Sequence, residues 1–263
     1  IHLAELVKQT TERSEFRQRW QTERSMVESE TCYEVLEDLI ASQYPPFRLL
    51  RLLCLQSLTG GGLKAAKFDS LRREVVQTYG YEYLFLLQNL EKLGLLKKRE
   101  SMWMETASPF TTIRKQFVLI NAEVDPIDPN DVSFVSSGYA PISARIVQTA
   151  IKGWAGKEEA LKYLPGRGID IQQRYPPEDF ASALKREVGP SLGILGKKFS
   201  GGSGGLDDDN GNKPVLLVYF VGGVTYMEIA AMRFLSKRPS FPYSIVCCTT
   251  KIINGSTLLQ SLS

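Results

Sequence analysis

The stretch Val215-Leu-Leu-Val-Tyr-Phe-Val-Gly-Gly-Val-Thr-Tyr-Met-Glu228 decides the fold of the second half of the chain. Seven apolar residues predict a buried strand, and two glycines predict a tight turn. Thr225 and Glu228 have the spacing of a capping box, which predicts that a helix begins there. A second apolar run, Tyr243 to Thr249, predicts another strand. Strand, helix and strand of this length form a right-handed crossover between parallel strands. Two strands do not make a stable sheet, so we expect further strands from elsewhere.

Residues before this stretch have mostly helical patterns. Apolar periodicity predicts helices at 47–58, 66–79 and 81–93. Thr31 and Glu34 have a second capping-box spacing, which predicts the start of a short helix through Ile40. Leu93-Gly94-Leu95-Leu96 predicts a helix end followed by a short strand, and 111–120 predicts another strand. Three helices followed by two strands have the order of a winged-helix fold. The fold class is therefore α+β: a mostly helical subdomain with a small winged-helix-like β element, followed by half of a parallel-sheet α/β domain.

Two loop-like segments divide the chain. Asp125-Pro-Ile-Asp-Pro-Asn-Asp131 contains two prolines among acidic residues and predicts a boundary between domains at 1–125 and 132–263. Within the second domain, 165–214 includes Gly201-Gly-Ser-Gly-Gly205 and an acidic run, which predicts a disordered insert. The chain begins at Ile1 rather than at a methionine, so we expect a fragment of a longer protein.

The residue inventory argues against an enzyme. The chain has one histidine, His2, and four cysteines without a C-x-x-C pair. Catalytic triads with a histidine base and zinc sites with several His or Cys ligands therefore lack their residues. Gly222-Gly223 carries neither phosphate-binding signature of nucleotide folds. We predict no catalytic residues, no metal and no cofactor. The longest apolar run, Val215 to Val221, is too short to span a bilayer.

The helix predicted at 81–93 has two apolar faces. Steps of 100° per residue place one set of side chains together, namely Tyr83, Leu86, Leu87, Leu90 and Leu93. The opposite side carries Tyr81, Leu84, Phe85 and Gln88. One apolar face is enough to pack the helix on its own core. The second face either packs against another part of the chain or binds a partner protein, and periodicity leaves both alternatives open.

A nucleic-acid-binding role is the alternative function. In a winged-helix protein, Lys97-Lys-Arg99 and Arg114-Lys115 could contact phosphates. The helix that would enter the groove is 81–93, which has one basic and two acidic residues. It would make a poor recognition helix, and the net charge of the chain is only +3.

Three groups of segments together resemble the SM (Sec/Munc) family of SNARE-binding proteins, and within it the vacuolar-protein-sorting thirty-three branch. They are Leu52–Ser57 with Gln77–Glu82 and Asn89–Leu96; Ser137-Gly-Tyr-Ala-Pro141; and Gly222–Leu235 with Thr249–Gly255. The resemblance covers nearly the whole chain except the segment 165–214.

The resemblance implies an arch-shaped protein that is longer than this chain. Its second domain is an α/β sheet split by a mostly helical third domain, so that 1–125 resembles the later part of the third domain and 132–263 the returning half of the second. The branch is a subunit of the HOPS and CORVET tethering complexes, which it joins through the vacuolar-protein-sorting sixteen subunit. It promotes SNARE assembly in vesicle fusion at endosomes and the vacuole or lysosome. It is a cytoplasmic protein, peripheral on those membranes, and has no catalytic activity or cofactor.

The resemblance also implies where partners bind. Partner docking in this branch uses the later third domain, which matches the start of the helix at 81–93. We therefore expect a partner-binding surface that consists of Arg72, Tyr81, Leu84, Phe85 and Gln88. The main SNARE groove uses a helical hairpin that would precede Ile1, so SNARE proteins are expected to bind mainly outside this chain.

Overall fold

A computed structural model of the chain describes residues 2–99, 108–125, 127–164, 166, 168–169 and 213–263. They form two compact units. The first comprises the described residues up to Leu164 together with Phe220–Ala231 and Thr249–Ser263. The second comprises the described residues within Pro165–Tyr219 together with Met232–Cys248. The insert predicted at 165–214 lies almost entirely outside the described residues, and the domain boundary predicted at 125–132 remains a prediction.

Helices make up most of the first unit. In chain order they are α1 (His2–Thr11), α2 (Ser14–Val27), α3 (Tyr33–Ala41), α4 (Pro46–Gly60), α5 (Ala65–Tyr79), α6 (Tyr83–Lys92), α7 (Pro109–Gln116), α8 (Ile142–Lys152) and α9 (Glu158–Leu161). A 3-10 helix, Val132–Ser136, precedes α8. The helices predicted at 47–58, 66–79 and 81–93 correspond to α4, α5 and α6. No described helix is long and apolar enough to cross a membrane.

The leucine-rich helix α4 lies at the centre of the main core. Pro46 occupies its first turn, where the missing amide costs nothing. Gly61, at φ +70°, ends it in the left-handed conformation that glycine adopts without strain. Buried side chains surround α4 on several sides, including Met26 of α2, Leu36 of α3, Leu71 of α5 and Leu87 of α6. The core therefore fixes α6 against α4 and α5.

Two very short strands accompany these helices. β1 (Leu63–Lys64) pairs in parallel with β2 (Lys98–Arg99). β2 confirms the short strand predicted after Leu96. The strand predicted at 111–120 is wrong, because α7 occupies most of that segment. The winged-helix-like element is therefore not confirmed among the described residues.

The end of α7 explains why its sequence resembles a strand. Leu119 N donates to Arg114 O at 3.0 Å and Val118 N to Lys115 O at 3.3 Å, which is a Schellman-type helix end. Such an end needs a residue with positive φ, and Val118 supplies it at φ +50°. A β-branched residue in this conformation is strained by about 1–2 kcal/mol. The glycine that normally marks such an end is absent.

Val118→Gly is expected to raise the free energy of unfolding by about 1 kcal/mol, because it relieves the strain at positive φ. Urea unfolding of the two proteins measures the difference. Val118→Ala is the control, since alanine keeps a Cβ and retains most of the strain. Equal stability of the glycine and alanine variants would contradict this explanation.

The strand–helix–strand predicted from Val215 onward is present, but its first strand is not buried as predicted, since each residue of that strand is exposed or half-buried. It consists of β3 (Val215–Phe220), α10 (Tyr226–Lys237) and β4 (Ser244–Thr249), and α11 (Gly255–Gln260) follows. β3 and β4 pair. Ser244 N donates to Pro214 O and Thr250 N to Phe220 O, so both strands run in the same direction. The short sheet is therefore parallel, as the crossover pattern predicts.

The capping box at the start of α10 is also confirmed. Glu228 Oε2 accepts hydrogen bonds from Thr225 N at 2.9 Å and Thr225 Oγ1 at 2.7 Å, and Glu228 N donates to Thr225 Oγ1. The other carboxylate oxygen of Glu228 accepts from Ser143 Oγ at 2.7 Å. Both oxygens thus have structural partners, which agrees with a capping role for Glu228.

Candidate docking surface

The turn before α6 determines which side of that helix faces solvent. Gly80 ends α5 at φ +108°, a conformation that other residues rarely adopt. Tyr83 N donates to Gly80 O at 3.3 Å and Leu84 N to Tyr81 O at 3.0 Å, so the chain turns tightly into α6. Tyr81 therefore lies at the exposed outer corner of this turn.

At its other end, α6 stops at a glycine. Gly94 has φ +71°, and Leu95 N donates to Leu90 O at 2.9 Å, as in a Schellman motif. A Cβ on Gly94 would lie 2.9 Å from Lys97 Cε. The helix end predicted at Leu93-Gly94 is thus confirmed, and both ends of α6 are fixed by glycine turns.

One side of α6 packs in the main core, as predicted from its periodicity. Leu86, Leu87 and Leu90 are buried. Tyr83 is half-buried, and its ring packs against that of Tyr79 at a tilt of 59° and a ring-centroid distance of 5.8 Å. Burial, and secondarily the charge of Glu82, raise the pKa of the Tyr83 hydroxyl. These contacts fix the rotation of α6 about its axis.

The opposite side of α6 is open to solvent. Tyr81 is 81% exposed and Phe85 is 71% exposed. Gln88 is exposed and Leu84 is half-buried. We call Tyr81, Leu84, Phe85 and Gln88 the docking face. Two aromatic rings one helical turn apart form a small apolar surface that the described residues leave uncovered.

The structure differs from the periodicity analysis at Leu93. Periodicity places this residue on the core side, but it is 57% exposed. Leu93 still has helical backbone angles, but α6 ends at Gly94, so no further turn of the helix covers its side chain. Its side chain therefore extends the apolar surface beyond the docking face.

Arg72 lies on the neighbouring helix, α5. Its Nη1 is 3.5 Å from Glu91 Oε1 of α6, and both side chains are about one-third exposed. The ion pair joins the two helices near the docking face. Because Glu91 offsets its charge, Arg72 is expected to contribute modestly to binding.

Comparisons with known proteins place the chain among longer relatives. The profile of the Sec1 family matches residues 1–261. The chain is 38% identical to the vacuolar protein-sorting-associated protein 33 homolog of Arabidopsis thaliana over 267 residues, covering 99% of this chain and 41% of that protein. It is 37% identical to vacuolar protein sorting-associated protein 33A of Rattus norvegicus over 264 residues, covering 99% and 39% of the two chains. For vacuolar protein sorting-associated protein 33 of Schizosaccharomyces pombe the identity is 31% over 270 residues, with 98% and 41% covered. The chain thus spans about two fifths of the length of these relatives.

Proposed function

Because the chain belongs to the Sec1 family, we propose that it is the partner-docking portion of a non-enzymatic scaffold for membrane fusion. Its relatives bear the name of vacuolar protein sorting. In this role the protein acts at the late endosome and the vacuole or lysosome, as a peripheral subunit of a HOPS- or CORVET-type tethering complex. It supports SNARE assembly there, mainly through parts of the polypeptide outside this chain.

The observation that carries the proposal is the docking face on α6. Tyr81 and Phe85 are exposed, although the other side of the same helix is buried in the core. Aromatic residues are enriched among the side chains that dominate binding energy at protein interfaces. A rigid helix with fixed ends also presents them at little entropic cost on binding. The face therefore suits a partner protein with apolar pockets, and we assign it to the helical C-terminal region of a vacuolar-protein-sorting sixteen-type subunit.

The second unit supports a further part of the proposal. Val215, Leu217 and Tyr219 alternate along β3, and all three are exposed. Their exposure leaves one apolar side of β3 uncovered by the described residues. The relatives are longer than the chain, so we infer that other parts of the polypeptide complete this sheet. Residues 132–263 are then the returning half of a split α/β domain, and 1–125 belong to the helical domain.

The nucleic-acid alternative has less support. It required two strands after the helices, and α7 occupies the place of the second. Among the basic residues that could contact phosphates in a winged-helix protein, Lys98 forms an ion pair with Asp69. Arg114 donates to the carbonyl of Val27 at 3.0 Å. These two side chains already have protein partners, so they are less suited to phosphates.

Calorimetric titration of the chain with the C-terminal helical region of the sixteen-type subunit tests the proposal. We expect one-to-one binding with a negative heat-capacity change, because apolar surface is buried. Raising the salt concentration should weaken it only slightly, since the docking face is mostly uncharged. A folded chain that does not bind would contradict docking through α6.

A further inference from the structure

An asparagine interrupts the exposed apolar line of α6. Tyr81, Phe85, Asn89 and Leu93 are spaced four residues apart and therefore follow one ridge of the helix surface. We call these four residues the α6 ridge. Asn89 is its polar member and lies between two exposed apolar side chains. Its side chain is not simply solvated, because it bonds to a distant part of the chain.

The partner of Asn89 is the backbone of Leu262. Asn89 Nδ2 donates to Leu262 O at 3.0 Å, across 173 positions of sequence. The Leu262 side chain packs against the main core, and Leu262 N donates to Leu259 O. The residues at the end of α11 thus border the α6 ridge directly.

The segment that supplies this carbonyl is itself firmly held. Asn254 and Thr257 form a reciprocal capping box at the start of α11. Leu259 is 3% exposed and belongs to the same core as α4 and α6. Gly255 lies against the side chain of Arg51 of α4, and a Cβ there would be 2.6 Å from Arg51 Nε. A rigid segment packed on α4 therefore reaches α6 through Asn89.

We propose that residues 254–262 position the α6 ridge for docking, with Asn89 as the positioning residue, an inference that rests on the proposed function. The bond lies in the last turn of α6, beside the Gly94 helix end, and adds a tertiary contact to the local bonds of that turn. Holding this turn keeps Leu93 in line with Phe85 before a partner arrives. Because the ridge is already ordered in the free protein, binding does not pay the entropic cost of ordering it.

The test compares Asn89→Ala with wild type in binding and in hydrogen exchange. The probe is the helical region of the sixteen-type subunit, titrated into the full chain. Loss of one hydrogen bond is expected to weaken binding about three- to tenfold. In the free chain, the amides of Ser261 and Leu262 should exchange faster, while the melting temperature stays close to that of wild type. Asn121→Ala is the matched control, because Asn121 also makes an exposed bond to a backbone group, Glu123 N, far from α6 in sequence.

A second variant separates positioning from direct contact. Leu262→Ala loosens the segment and leaves the sequence of α6 unchanged. If Asn89 and Leu262 act through one bond, the affinity of the double variant should equal that of the single variant that binds less tightly. If they act independently, the fold-losses of affinity of the two single variants should multiply. Weakened binding without faster exchange at Leu262 would make Asn89 a direct contact and overturn the positioning role.

The remaining outcomes distinguish the inference from the proposed function. If Asn89→Ala binds like wild type while Tyr81→Asp does not bind, only the positioning role is wrong. If the folded wild-type chain does not bind at all, the proposed function is contradicted, and the positioning of a docking surface falls with it.

Discussion

Tyr81→Asp is expected to abolish partner binding and to leave the fold intact. Tyr81 is 81% exposed in the free chain, so a carboxylate there remains in water and does not disturb the core. In the complex the same carboxylate would be buried among apolar groups without a counter-charge. That burial costs several kcal/mol, which corresponds to at least about a hundredfold loss of affinity. Calorimetry measures the affinity, and circular dichroism with thermal melting checks the fold.

Two further variants show whether the effect is local. Tyr81→Ala removes apolar area without adding charge, so its loss should be smaller, about 1–2 kcal/mol. Ile127→Asp places the same charge at another apolar residue, which is 93% exposed in a loop, and should bind like wild type. A Tyr81→Asp protein that unfolds would show that this side chain is needed for folding. One that folds and still binds would place the docking surface elsewhere.

The docking face could be predicted because α6 is regular. Each residue of a helix advances by about 100°, so the sequence indicates which side chains share a side. Leu86, Leu87 and Leu90 are buried as expected, and Tyr81 and Phe85 are exposed. The rule failed at Leu93, because α6 ends at the next residue, Gly94, and no further helical turn covers that side chain. Periodicity also could not identify Asn89, because its role depends on a carbonyl 173 positions away.

In α7, local propensity and tertiary packing favour different structures. The segment from Thr111 to Ile120 is rich in Thr, Ile and Val, which favour strands. The helix nevertheless forms, since Ile113 and Phe117 lie on one side of it and pack in a small core with Ala160 of α9. Pro109 at the first turn was the available sequence signal. The end of the helix at Val118 had no such signal.

Of the two capping-box spacings in the sequence, only one forms a capping box, because a tertiary contact replaces the other. Thr225 and Glu228 form the box, but Thr31 does not cap α3, whose N-cap is Cys32. The Cys32 amide instead donates to Gln56 Oε1 of α4 at 2.8 Å. A buried side chain from another helix thus satisfies the amide, and no local pattern reveals such a partner.

Arg145→Met is expected to lower the free energy of unfolding by about 2–3 kcal/mol, because it leaves a partly buried carboxylate without its counter-charge. Arg145 Nη1 and Nη2 each donate to one oxygen of Asp131 at 2.7 Å. Nη2 also donates to Val118 O at 2.8 Å, so one side chain holds the segment between α7 and α8 at two points. Urea unfolding at neutral pH measures the loss. Arg145→Met combined with Asp131→Asn should lose less than Arg145→Met alone, since no charge remains buried.

The same pair makes stability depend on pH in a defined direction. Burial raises the pKa of Asp131, but hydrogen bonds from Arg145 and Ser133 and the charge of Arg145 outweigh it and lower this pKa to about 2. In the unfolded chain the pKa of an aspartate is about 3.9. Because the pKa of Asp131 is lower in the folded than in the unfolded chain, its ionised carboxylate stabilises the fold at pH values above the unfolded-state pKa. This stabilisation is lost as the pH falls through the folded-state pKa. Wild type should therefore lose about 2 kcal/mol more than Asp131→Asn between about pH 5 and pH 2. The stability of Arg145→Met should also depend less on acid pH than that of wild type, because the side chain that lowers the pKa of Asp131 most is then absent. If the free energies of unfolding of wild type and Asp131→Asn change with pH in the same way, the Arg145–Asp131 pair does not contribute to acid unfolding.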